Sequence, residues 1–178
     1  NILCVANYIP IKGQEYLINA IAQIANEGIM IHLYLIGQGP DETKLRNMVV
    51  NFNIQDNVTF LGLQPYENVY RYMSQADMFI MPSYYDSFGC VYVEAMSTGT
   101  VTCGCDVYGP KEIINDGVDG LLVKPRDVQS IVDAIKKVHS DICYRKRIED
   151  NAVKRAAQFS WKKSAIALEA VYTNILNN

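Results

Sequence analysis

Short apolar runs alternate with helix-period segments along almost the whole chain, and this alternation limits the fold more than any other feature of the sequence. ILCVA (2–6), IMIHLYLIG (29–37), NVTFLG (57–62), DMFIMP (77–82), TVTCGC (100–105) and GLLVKP (120–125) read as strands. Gln14 to Asn26, Asp41 to about Phe52, Tyr66 to Gln75, Phe88 to Ser97 and Pro110 to Asn115 read as helices between them. Three more, about 127–139, 141–157 and 160–176, finish the chain. In the first helix Leu17, Ile18, Ile21 and Ile24 share one face. Strands that are apolar throughout are buried on both sides, which calls for a parallel sheet with helices on both faces. The expected fold is therefore α/β, a Rossmann-like doubly wound parallel sheet of about six strands. No repeat, low-complexity stretch or linker interrupts the 178 residues, so they make one domain.

Composition narrows the function classes. Lys and Arg total 16 against 19 Asp and Glu, a net charge of −3, which lacks the electrostatic footprint of a general nucleic-acid binder. No run of about 18 apolar residues is present to span a bilayer. Five cysteines, an odd count without framework spacing, point to a reducing compartment and hence to a cytoplasmic protein. Cys103 and Cys105 read as small apolar residues in a strand, because no Cys/His set completes a tetrahedral metal site with them. His32, within a strand, and His139, at a helix end, read as structural. The chain starts with Asn inside a strand, which reads as a fragment cut from a longer protein at a domain boundary.

In open α/β sheets, ligands bind outside the carboxyl ends of the strands. Five consecutive strands here end in Gly or polar segments on that edge: Asn7 with YIPIKG, GQGP, Gly62-Leu63, PSYYDSFG and DVYGP. GQGP does not complete a dinucleotide fingerprint, since Glu42 stands where the last glycine belongs. DSFGCVYVEAM is more informative. Gly89 lets a ligand approach the backbone at a helix start, where unpaired amides and the helix dipole suit a phosphate. From Phe88 to Met96 the one residue charged at neutral pH is Glu94, in a helix that is apolar nearly all round, so the carboxylate is expected to be buried. Helical side chains lean toward the N-terminus, which aims Glu94 at the Cys90-Val91 turn and the cleft. There it could accept two hydroxyl hydrogen bonds, as from a ribose diol; otherwise it pairs with a buried Arg or caps a loop. Asp86, eight residues earlier, faces the same cleft or serves as a cap or turn residue. Lys12, the one cation in the first loop, is a point charge for a diphosphate or a solvated lysine.

Taken together, ILCVANYIPIKGQEYLINA, LYLIGQGPDETKL, VTFLGLQPYENVYRYMSQADMFIMPS, the segment from DSFGCVYVEAM to GLLVKPRD and the terminal FSWKK resemble the nucleotide-binding C-terminal domain of retaining GT-B glycosyltransferases of family four, the "glycosyl transferases group 1". The resemblance covers nearly the whole chain. It implies that residues 1–178 form one half of a GT-B architecture, with the N-terminal acceptor domain absent. It also implies that Lys12 holds the donor diphosphate and that Glu94 binds the ribose hydroxyls. Phe88, Gly89, Cys90 and Val91 would form the loop whose backbone meets sugar and phosphates. Gly37 and Gly39 would line the nucleotide cleft, Gly62 and Leu63 would border the base, and Asn7 and Gly13 would belong to the first donor-binding loop. Three departures stand out. Asp86 replaces the usual Glu, Ala6-Asn7 replaces Gly-Arg, and Tyr108-Gly109 replaces Gly-Gly.

The implied function is transfer of a sugar from a nucleoside-diphosphate donor, UDP by family usage, with retention of configuration, to a glycan, lipid or other acceptor, as in polysaccharide biosynthesis. Lys12 and Asp86 would be the catalytic pair. No Asp-x-Asp occurs, so neither a metal nor any other cofactor is expected. The expected partners are the sugar nucleotide and the missing acceptor domain, with no nucleic acid, and any membrane contact made through that missing domain. The isolated domain, of hexosyltransferase type, is expected to be inactive alone. Two alternatives stay open: a GT-B sugar-nucleotide epimerase and a non-catalytic nucleotide-sugar-binding module.

Overall fold

A computed structural model of the protein describes residues 1–176; of the expected span 1–178, residues 177 and 178 lie outside the described residues. Six strands, β1 (Ile2–Val5), β2 (Leu33–Ile36), β3 (Val58–Gly62), β4 (Met78–Ile80), β5 (Val101–Cys105) and β6 (Leu121–Val123), form one sheet in the order β3-β2-β1-β4-β5-β6. Every ladder is parallel. The Rossmann-like doubly wound sheet expected from the apolar runs is thus present.

The helices are α1 (Gln14–Asn26), α2 (Glu42–Asn51), α3 (Tyr66–Gln75), α4 (Cys90–Ser97), α5 (Pro110–Ile113), α6 (Val128–Ser140), α7 (Ile142–Ala156) and α8 (Trp161–Leu176). α1 packs with α2 and α6, while α4 packs with α3, α5 and α7. Right-handed crossovers put α1 and α4 on opposite faces, because the chain winds outward from β1 in one direction and outward from β4 in the other. The core fills both interfaces: Leu17, Ile18, Ile21 and Ile24 of α1 are fully buried, as are Phe79 and Tyr92.

Several boundaries are tighter than the apolar runs suggest. β2 begins at Leu33 and not at Ile29, because β1 meets it through the Ile2–Leu33 pair. Met30 is 96% exposed as a result. His32 therefore precedes the strand, where its Nε2 lies 2.8 Å from Thr59 Oγ1. α4 starts at Cys90, leaving Phe88 and Gly89 in the loop. The helix at Pro110 is one turn long. Two short 3₁₀ turns, Pro10–Lys12 and Gln55–Asn57, were not evident from periodicity. Cys103 and Cys105 are buried in β5, and all five cysteines are free thiols. α8 buries none of its residues, and Trp161, Ile166, Val171, Tyr172 and Ile175 are exposed. Among the described residues, no helix is long and apolar enough to cross a membrane.

Candidate functional site

The sheet order reverses between β1 and β4, and in such sheets the crevice opens outside the carboxyl ends of the strands at the reversal. The loops that leave these two strands carry Lys12 and Asp86. Their side chains meet in a bidentate ion pair: Lys12 Nζ donates to both carboxylate oxygens, at 3.0 and 2.9 Å. The pair is largely covered, with side-chain exposures of 19% and 14%. The sequence placed both residues on one cleft but held no sign that each is the other's counter-ion.

The two loops are stitched together by their backbones. Tyr84 N donates to Ile11 O at 3.0 Å. Ser83, fully buried, donates its hydroxyl to Ile11 O and Tyr85 O, both at 3.0 Å. Gly13 has φ +72°, and a Cβ there would stand 2.2 Å from Pro82 O, so only glycine lets α1 start this close to the end of β4. From the other side the β5–α5 loop rests on Asp86, since a Cβ at Gly109 would lie 2.4 Å from Asp86 O. Ser83 and Gly109 are site-building residues that the motifs alone did not reveal. Both stand beside strand ends, in segments already singled out, and this was the available signal. Tyr108 is 73% exposed.

α4 begins beside this pair. Gly89, at φ +89°, packs against the ring of Tyr92 and near the Asp86 carboxyl, 3.9 Å from Asp86 Cγ to a Cβ built on it. Tyr92 anchors the helix start to β4 through a hydroxyl donated to Met81 O at 2.8 Å. Among the described residues no side chain caps the helix, which leaves the amides of its first turn, Cys90 and Val91, without a side-chain acceptor. Val91 packs its side chain against the core.

Phe88, Cys90 and Glu94 turn to a second region, a groove of about 710 Å³ between α4 and α8, lined also by Tyr66, Phe159, Trp161 and Lys163. Phe88 sits edge-on to Phe159, with ring centroids 5.8 Å apart. Glu94 is half-buried and not enclosed as its apolar helix suggested, because α8 leaves the groove open. Partial burial still pushes its carboxyl above the ordinary glutamate value. No basic side chain pairs with it among the described residues. Lys163, across the groove, donates instead to Ala157 O at 3.1 Å.

The remaining candidates lie along the β1–β2–β3 edge. Asn7 is exposed, and its carbonyl accepts Gln14 Nε2 at 2.9 Å. The GQGP segment wraps the first loop: Tyr8 N donates to Gln38 O at 2.9 Å and Asp41 N to Tyr8 O at 3.1 Å. A Cβ at Gly37 or Gly39 would stand 2.0 or 2.3 Å from the carbonyl oxygen of Ala6 or Tyr8, so both glycines join two loops. Gly37 N also donates to Gly62 O at 2.9 Å, and Leu63 is 62% exposed beyond it. Lys12 and Asp86 are thus brought into contact, Phe88, Cys90 and Glu94 share a groove, and Asn7, Gly37, Gly39, Gly62 and Leu63 border the crevice on the far side of β1.

The doubly wound parallel sheet, with an ion pair and an uncapped helix start at its switch point, defines an α/β domain of the Rossmann-like class. The glycosyl transferases group 1 family model matches residues 1–155, and the chain belongs to that family. It is 31% identical over 175 residues to D-inositol 3-phosphate glycosyltransferase of Nocardia farcinica, covering 94% of this chain and 39% of that protein. It is 30% identical over 175 residues to N-acetyl-alpha-D-glucosaminyl L-malate synthase of Bacillus anthracis, covering 98% of this chain and 45% of that protein. Among solved structures, sucrose-phosphate synthase of Thermosynechococcus elongatus aligns with a TM-score of 0.86 at 30% identity, over 99% of this chain and 45% of that one. HepE of Anabaena, solved in complex with UDP, aligns with a TM-score of 0.86 at 25% identity, over 96% of this chain and 48% of that one. The fold is the Rossmann-like half of a GT-B architecture, and the chain spans less than half the length of these relatives.

Proposed function

We propose that the chain is the donor-binding domain of a retaining glycosyltransferase that uses a uridine-diphosphate sugar, with the acceptor half elsewhere in the full-length protein. The observation that carries this reading is the Lys12–Asp86 pair at the switch point, with the Asp86 carboxyl beside Gly89 at the uncapped start of α4. Departure of the nucleoside diphosphate is the difficult step. Lys12 and the Cys90 and Val91 amides would stabilise the charge that develops on it, and a preorganised donor to developing negative charge is worth about 3–4 kcal/mol in well-studied enzymes. Asp86, paired with Lys12 and beside Gly89, would accept from the donor sugar's hydroxyls. Glu94 would accept from the ribose. The charge of the diphosphate is met by protein donors throughout, so the reaction should need no metal. Retention follows from the family resemblance, and UDP is favoured by the HepE complex.

The acceptor half is supported by the share of each relative that the chain spans. The exposed apolar side chains of α8 offer a surface for that half to cover. Free thiols support a cytoplasmic site of action. His32 lies at the amino end of β2, away from the crevice and bonded to Thr59, so it is not placed to take a proton from a sugar ring as an epimerase would require. Calorimetric titration of the chain with UDP and UDP-glucose tests the binding step, with saturable binding expected. Release of UDP by the full-length protein, with acceptor and with or without EDTA, tests the rest. Binding without turnover would leave a nucleotide-sugar-binding module, and rescue of an EDTA-treated protein by manganese would overturn the metal-free clamp.

A further inference from the structure

We propose that Asp86 makes the site prefer an intact sugar nucleotide over the bare nucleoside diphosphate, by competing with the diphosphate for Lys12. The inference rests on the proposed donor site and adds a source of specificity within it. The Lys12 ammonium is satisfied by both oxygens of Asp86. The backbones that carry both partners are held in place, so an exchange of contacts falls to the two side chains. Lys12 stands between Ile11, whose carbonyl is held by Ser83 and Tyr84, and Gly13, which is packed on Pro82. The Asp86 backbone lies beneath Gly109. The same carboxyl stands beside Gly89, where the uncapped amides of α4 begin. An incoming diphosphate therefore meets both of its positive partners with a carboxylate alongside.

The balance between the two ligands depends on what each offers that carboxylate. A bare diphosphate displaces Asp86 from Lys12 and gives nothing in return, leaving two anions side by side in a largely covered site. A sugar nucleotide carries one ionisable phosphate oxygen fewer, and its sugar brings hydroxyl donors next to the terminal phosphate. Those hydroxyls can take up the released carboxylate. Both effects have the same sign. Asp86 penalises the product more than the donor, and its return to Lys12 helps the spent nucleotide to leave.

The test titrates UDP and UDP-glucose into the wild-type chain, Asp86→Asn and Asp86→Glu, with thermal melts to show that each is folded. Asp86→Asn keeps the size of the side chain and removes its charge. It should bind UDP about ten-fold tighter and UDP-glucose no tighter, shifting the ratio of the two affinities by about ten-fold. Asp86→Glu keeps the charge and should keep the wild-type ratio. An unchanged ratio in Asp86→Asn, or weaker UDP binding by it, overturns the competition while leaving the donor site standing. If Asp86→Asn does not fold, Asp86→Ala takes its place, with the same shift in the ratio expected and an unchanged ratio overturning the competition. Failure of the wild-type chain to bind either nucleotide overturns the donor-site reading and the role of Asp86 with it.

Discussion

Asp86 and Glu94 flank the start of α4 eight residues apart, yet they live in opposite circumstances. Asp86 is on a loop locked by three neighbouring segments, and its charge is answered by Lys12. Glu94 lines an open groove without a basic partner, its carboxyl raised by partial burial. The difference is one of preorganisation. At the switch point the protein has satisfied itself, so a ligand must exchange one set of contacts for another. At the groove it has left a costly acceptor waiting, so a ligand that brings hydroxyls adds contacts without breaking any.

The largest expected effect is on the rigid side. In Gly13→Ala the new methyl would meet Pro82 O at 2.2 Å from a backbone at φ +72°. Denaturant unfolding should show a loss of about 3 kcal/mol or more, since strain and a clash with a carbonyl add. A loss below about 1 kcal/mol would mean that the switch point is softer than its packing suggests. Lys12→Met strips a largely covered carboxylate of its counter-ion, so it should lower the melting temperature, though less than Gly13→Ala, and lower turnover of the full-length protein about a hundred- to a thousand-fold, as loss of one leaving-group donor does.

Glu94→Gln should act on binding alone. One charge-assisted hydrogen bond is worth about 1.5–3 kcal/mol, so nucleotide affinity should fall roughly ten- to a hundred-fold while the fold persists. A 2′,3′-dideoxy nucleotide should lose little further affinity in this variant, because both changes remove the same contact. Simple additivity of the two losses would show Glu94 to be a structural carboxylate, and the comparison with Asp86 would lapse.

The smallest effect is with pH, and its sign differs between stability and binding. Glu94 holds its proton more tightly in the folded chain than in the unfolded one. Its contribution to stability is thus full below the unfolded pKa and is lost as pH rises through the folded one. Ribose binding needs the ionised form, so nucleotide affinity should instead fall as pH drops, with a midpoint above the ordinary glutamate value. Titrations across the acidic range in wild type and Glu94→Gln check this, the acidic limb being absent in the variant.

The sheet was readable from sequence because its strands are apolar on both sides and alternate with helix-period segments, a combination that calls for doubly covered parallel strands. Strand ends were less so. Nothing in IMIHLYLIG says that pairing starts at Leu33, since that is decided by the partner Ile2. The site was legible as residue types at strand ends, but not as contacts. Lys12 and Asp86 are 74 positions apart, and their pairing depends on Ser83, Gly13 and Gly109 holding three loops in register. Glu94 was correctly set on α4 but expected to be enclosed, because helix composition cannot report that α8 stands off and leaves a groove.

The adjacency of β1 and β4 also governs the order in which the molecule can come into being on the ribosome. β1 is made before the other five strands, and it can pair with β2 once the residues through Ile36 are out, but its other edge waits for Met78 and Phe79. Until then a central strand is an open edge, with unpaired backbone groups that invite wrong pairings. Closing it joins segments far apart in sequence, a kind of contact that forms slowly. The crevice, which exists only between these two strands, therefore arises at the same moment as the long-range topology, and no nascent chain that ends before β4 can present the Lys12–Asp86 pair.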